Sequence, residues 1–225
     1  MPMPLSSPSG LAVRPAHRAV RALATAGVLL GLAALAIGML PGDAGASKGD
    51  FAILFLHVPA AWLSLLLFTA AAGCAAVTVA DRRPAAAMAL QAIAPVGVVA
   101  SVLALWTGLA SQRAYGAWWG WDARLVCELV LLLLFAGAMA LRSVTADPAR
   151  AELAAAVLVL VGALNVPMVY LTVDWWNTLH ERAAAGVGRS PYAVAAMAAM
   201  TLAFCMSAGA VVLARLQAGA PKEQE

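Results

Sequence analysis

Six apolar runs, each about as long as a lipid bilayer is thick, divide the 225-residue chain and leave little of it over. A helix rises about 1.5 Å per residue and the hydrocarbon core is about 30 Å deep, so a span needs about 20 apolar residues. Runs of that kind lie at about 22 to 40, 59 to 80, 85 to 110, 125 to 141, 153 to 173 and 192 to 214. Hydrophobic residues make up 64% of the chain and charged ones 11%, which is far from the usage of a soluble domain. The expected fold is all-α: a polytopic membrane protein whose six transmembrane helices form one bundle. Residues 1–225 are read as a single integral-membrane domain. Within it 1–21 is an arm, 111–124 a tryptophan-rich loop segment and 215–225 a tail. Alanine and glycine recur in the runs, as expected where helices approach closely without a hydrophobic force between them.

The first run has a second reading as a secretory signal, since Arg14, Arg18 and Arg21 precede it and Ala44-Gly45-Ala46 resembles a cleavage site. The apolar stretch from Ala22 to Leu40 exceeds the roughly 7 to 15 residues of a signal core, so it is read as a helix. With six spans both termini share a side. That side carries nine cations: Arg14, Arg18, Arg21, Arg82, Arg83, Arg142, Arg150, Arg215 and Lys222. The other carries five: Lys48, Arg113, Arg124, Arg182 and Arg189. The positive-inside bias then puts both termini in the cytoplasm. The net charge of +3 reports topology rather than a nucleic-acid partner.

This orientation gathers the aromatic polar residues on one side. Trp62 and Trp106 lie near the outer ends of their spans, and Trp118, Trp119, Trp121, Trp175 and Trp176 fall in outer loops, with Tyr115, Tyr170 and Tyr192 beside them. An interfacial belt would mark both membrane faces, so a one-sided platform for a flat ligand is the better reading. Two of the three histidines, His57 and His180, lie there too, whereas His17 sits in the basic arm. Pro59 lacks an amide hydrogen and favours a first helical turn. The second span is therefore expected to start at Pro59, with 51 to 56 along the interface and His57 at a bend near the surface.

Two imidazoles with an aromatic floor narrow the ligand. A structural zinc wants four nitrogen or sulfur ligands, and these loops lack them. A non-haem iron held by both histidines and Asp122, Asp174 or Glu181 does not need the tryptophans. Haem uses axial histidines, an apolar wall and arginines near its propionates. Asp122 precedes the fourth span, where it can cap the helix, pair with Arg124 or touch the ligand. Glu128 lies one turn below Arg124 inside the membrane boundary, a functional candidate by cost that can also pair with Arg124. Asn165 and Pro167, and Gln91 and Pro95, are expected to make kinks and interhelical hydrogen bonds. Cys74, Cys127 and Cys205 form no C-x-x-C or C-x-x-C-H motif, so any haem is non-covalent. No phosphate-binding loop is present, so ATP hydrolysis by that route is not expected.

The segment Tyr115-Gly116-Ala117-Trp118-Trp119-Gly120-Trp121-Asp122-Ala123-Arg124-Leu125 resembles the WWD signature of the tryptophan-rich haem-handling membrane proteins. With His57-Val58-Pro59-Ala60-Ala61 and Trp175-Trp176-Asn177-Thr178-Leu179-His180, it is similar to the haem exporter protein C family of cytochrome c maturation. The resemblance implies His57 and His180 as axial ligands of a haem b and Trp118, Trp119, Trp121 and Asp122 as its platform. Tyr115, Arg124, Glu128, Trp175 and Trp176 stand as supporting residues. Tyr115 departs from a tryptophan and Val126 from a threonine of the pattern; the first keeps an aromatic face, the second removes any role for a hydroxyl. The implied role is to hold haem at the periplasmic face of a bacterial inner membrane and pass it to a periplasmic haem chaperone for c-type cytochrome biogenesis. The implied partners are that chaperone, an ABC transporter with ATPase and membrane subunits, and a small single-span accessory subunit, all in contact with membrane lipid. On this reading the chain is not an enzyme. A b-type electron-transfer cytochrome and a cytochrome c synthetase-like enzyme are the alternatives.

Overall fold

The computed structural model describes residues 9–38, 48–112, 122–175 and 191–219, in which every regular element is an α-helix. In chain order these are α1 (Ser9–Gly38), α2 (Lys48–Asp81), α3 (Pro84–Gln112), α4 (Ala123–Val144), α5 (Pro148–Gly162), α6 (Asn165–Trp175) and α7 (Pro191–Gly219). Among the described residues six stretches are long and apolar enough to cross a membrane: His17–Gly38, Ile53–Asp81, Pro84–Ser111, Ala123–Val144, Pro148–Leu171 and Val194–Gly219. The six-span, all-α expectation therefore holds, with α5 and α6 sharing one span. Helix α1 begins inside the 1–21 arm, and α7 runs four residues past Arg215.

Corners between spans are short because the sequence supplies their caps. Arg82 takes the left-handed conformation (φ 54°) that ends α2, and Pro84 opens α3, where a missing amide hydrogen costs nothing. Asp147 caps α5 by accepting from the Ala149 and Arg150 amides, at 2.9 and 3.4 Å, with Pro148 at the first helical position. The core lies where α2, α3, α4 and α5 meet. Phe68 and Phe135 stack edge to face there with centroids 4.9 Å apart. Gly97 on α3 makes room for the Phe135 ring, since a β-carbon at 97 would stand 2.3 Å from its Cζ. The main helix contacts are α2 with α3 and α1 with α7, while α1 barely touches α2.

Two prolines act differently from one another. The expected start of the second span at Pro59 is corrected: α2 is continuous from Lys48 to Asp81 with Pro59 inside it, and His57 is buried (6% exposed) rather than at a surface bend. Pro59 cannot donate to the Phe55 carbonyl, yet the helix runs through it, with Phe55, His57 and Pro59 all packed into the bundle. In the fifth span the expected kink is present. Pro167 cannot bond the Ala163 carbonyl, which accepts instead from Val166 N at 3.1 Å, and Ala163 and Leu164 make the same tighter i to i−3 bonds. Asn165 at this break donates its Nδ2 to the Cys127 carbonyl at 2.9 Å, tying α6 to α4. Gln91 Nε2 reaches Glu152 Oε1 at 3.5 Å, a long bond between α3 and α5.

Candidate functional site: a buried histidine lining a cavity

His57 faces α3, and one turn of that helix fixes its ring. Nδ1 lies 2.9 Å from the Ala104 carbonyl oxygen and 3.3 Å from Thr107 Oγ1. A carbonyl only accepts, so Nδ1 carries a proton, and in the neutral ring Nε2 is then the nitrogen with the lone pair. Thr107 spends its own hydroxyl hydrogen on the Leu103 carbonyl at 2.6 Å, which leaves its oxygen able to accept from the ring. Gly108 completes this seat. A β-carbon there would stand 2.9 Å from His57 Cε1 and 2.5 Å from Leu125 Cδ2, so only glycine lets the imidazole lie against the helix. Residues 104, 107 and 108 share one helical face, which is why a single turn supplies carbonyl, hydroxyl and gap.

Beyond the ring is a cavity of about 120 Å³ between α2, α4 and α6. Val58, Leu65 and Leu125 give it apolar walls, and Arg124 and Glu128 its polar groups. Arg124 and Glu128 are one turn apart on α4, yet they form no ion pair with each other. Arg124 Nε and Glu128 Oε1 are both buried without a hydrogen-bond partner. Two such groups, buried without a partner, are costly to hold in place. Ser64 and Ser101, both fully buried, flank the Glu128 carboxyl, although Ser64 gives its hydrogen to the Ala61 carbonyl and Ser101 Oγ has no partner. Asp122 caps α4, its Oδ1 accepting from the Arg124 amide at 2.9 Å.

The described residues suit haem as a bound cargo. An imidazole with Nδ1 held by a carbonyl is the arrangement that orients a metal-ligating histidine. The cavity walls suit the edge of a porphyrin, and the Arg124 cation suits a carboxylate. At about 120 Å³ the cavity holds an edge or side group rather than a whole macrocycle, since ligand pockets usually run about 300–1,000 Å³.

Residues 3–224 match the family model described as heme exporter protein C. The chain belongs to the heme exporter protein C family. Among curated relatives, heme exporter protein C of Bradyrhizobium diazoefficiens is 44% identical over 166 residues, covering 72% of this chain and 62% of its own length. That of Escherichia coli K12 is 42% identical over 133 residues, 59% of this chain and 54% of the relative. The Haemophilus influenzae protein is 35% identical over 158 residues, 69% and 64%. The chain thus spans between half and two thirds of the length of these heme exporter protein C relatives.

Of the residues expected at the site of this heme exporter protein C family member, the structure brings His57, Arg124 and Glu128 to one cavity and puts Asp122 at the head of the helix carrying the latter two. Tyr115, Trp118, Trp119, Trp121, Trp176 and His180 lie outside the described residues, as does the Trp175 side chain at the end of α6. Sequence reasoning missed the seat made by Ala104, Thr107 and Gly108. Only the adjacent Thr107-Gly108 pair near the end of an apolar helix hints at it, and nothing in a sequence marks a carbonyl as an acceptor.

Proposed function

We propose that this chain holds non-covalent haem b with His57 and His180 as axial ligands and passes it to an acceptor for c-type cytochrome biogenesis. The observation that carries the reading is the His57 ring, held through Nδ1 by the Ala104 carbonyl and lining the same cavity as Arg124. The family name is that of a heme exporter, which fits the same cargo. In this reading Trp118, Trp119 and Trp121 supply the porphyrin platform, and Asp122 contributes by orienting the start of α4 and hence Arg124. Iron ligation belongs to the cargo; the chain's part is to bind, orient and release it, and it is not an enzyme.

The positive-inside bias orients the site to the periplasmic face of a bacterial inner membrane. The partners are then a periplasmic haem chaperone, an ABC transporter with ATPase and membrane subunits and a small single-span subunit. A b-type electron-transfer cytochrome is the second reading, favoured by the burial of His57 within the bundle.

Haem-loaded membranes containing the chain, mixed with purified haem chaperone, separate the two. Net movement of haem to the chaperone, lowered more than haem retention by at least one of Trp118→Phe, Trp119→Phe and Trp121→Phe, is expected. Haem that cycles reversibly with potential and never leaves the chain supports the cytochrome instead.

A further inference from the structure

Helices α2 and α6 meet sparsely, and beside the cavity an aromatic pair bridges them. Trp62 on α2 and Tyr170 on α6 stand edge to face, with ring centroids 6.4 Å apart and planes inclined by 63°. Both line the cavity, and they are 54% and 47% exposed, whereas His57 and Glu128 on its inner side are 6% and 5% exposed. Exposure therefore rises from α4 toward the aromatic pair. Trp62 belongs to the stretch Ile53–Asp81 and Tyr170 to Pro148–Leu171, so the exposed edge of the cavity belongs to segments that cross the bilayer. Leu66, exposed and about one helical turn from Trp62, extends the same exposed face of α2.

A cavity with an exposed aromatic rim and two ionisable residues, Arg124 and Glu128, on its inner side suits an amphiphile that enters from the membrane. Haem, a flat apolar ring with two carboxylates at one edge, has that chemistry, and the Arg124 guanidinium in the cavity wall gives the carboxylates a cationic counterpart. The cavity is smaller than the ring, so the wall must yield for it to enter, and two side chains yield more readily than packed backbone. We propose that the Trp62–Tyr170 pair closes a lateral opening through which haem passes between the bilayer and the cavity at His57. The proposal rests on the haem reading above and adds a route to it.

The test uses the full chain in lipid nanodiscs with Cys74, Cys127 and Cys205 replaced by serine, carrying Trp62→Cys and Tyr170→Cys joined by a reducible methanethiosulfonate cross-linker. Haem is supplied from lipid vesicles and loading is followed in the Soret band. Loading is expected to slow at least tenfold on cross-linking and to recover when the cross-link is reduced, while Trp62→Ala and Tyr170→Ala load and lose haem several-fold faster than wild type. Equal rates with and without the cross-link overturn the opening and leave the haem reading standing. If the cysteine variant takes no haem, the alanine variants decide: wild-type rates in both overturn the proposal. A wild-type chain that takes up no haem from lipid or from water overturns the haem reading itself.

Discussion

One turn of α3 holds the His57 imidazole through two contacts to Nδ1. The contact from Nδ1 to Thr107 Oγ1, at 3.3 Å, is the weaker of the two holding the ring, and Thr107→Val removes it with little change of shape. One neutral hydrogen bond is worth about 1 kcal/mol, so haem retention should fall a few-fold while the bis-imidazole spectrum persists. Gly108→Val is different, because its β-carbon already collides with Leu125 and His57. It should lose haem about as completely as His57→Ala, by tenfold or more, as disturbed outer partners of metal-bound histidines do. Haem per protein after gel filtration measures both. Wild-type retention in Gly108→Val would remove the α3 seat from the site. His57 itself was legible as a candidate from its tryptophan-rich surroundings. Its seat was not, because a backbone carbonyl and the space above a glycine leave no trace in residue type.

At the scale of elements, hydropathy marked all six spans to within a few residues, and the chemistry of proline and asparagine marked the break in the fifth. Asn165, Pro167 and Gln91 did what short polar or amide-less residues do inside membrane helices. Pro59 went the other way, since a lone proline specifies only a lost bond, and whether a helix stops there depends on burial that tertiary packing supplies. The Asn165 bond to Cys127 fastens α6 beside α4, and with it the Tyr170 wall of the cavity. Asn165→Leu should therefore cost about 0.6 to 1.5 kcal/mol, read as a lower midpoint in a detergent unfolding titration. Pro167→Ala should do the reverse, restoring an amide for the Ala163 carbonyl and raising that midpoint. A lower midpoint for Pro167→Ala would mean that the break is itself required by the packing of α6.

For the whole molecule, the charge asymmetry predicts a single orientation. Reporters fused after Lys48, within 111–117 or after Gly186 should read as periplasmic, and those after Arg83 or Pro148 as cytoplasmic. A cytoplasmic reading after Gly186 would separate His180 from the His57 end of the bundle and end the shared site. Composition made the membrane class legible, and three separated motifs made the family legible. The enclosing geometry was not, because a cavity between α2, α4 and α6 arises from residues more than a hundred positions apart. The proposal that His57 and His180 hold one haem between them is put to the test by the absorption spectrum of the purified chain. Wild type should show six-coordinate, bis-imidazole haem, and His57→Ala and His180→Ala should each lose haem or become five-coordinate, with exogenous imidazole restoring the wild-type bands. An unchanged spectrum and full haem content in either variant would contradict it.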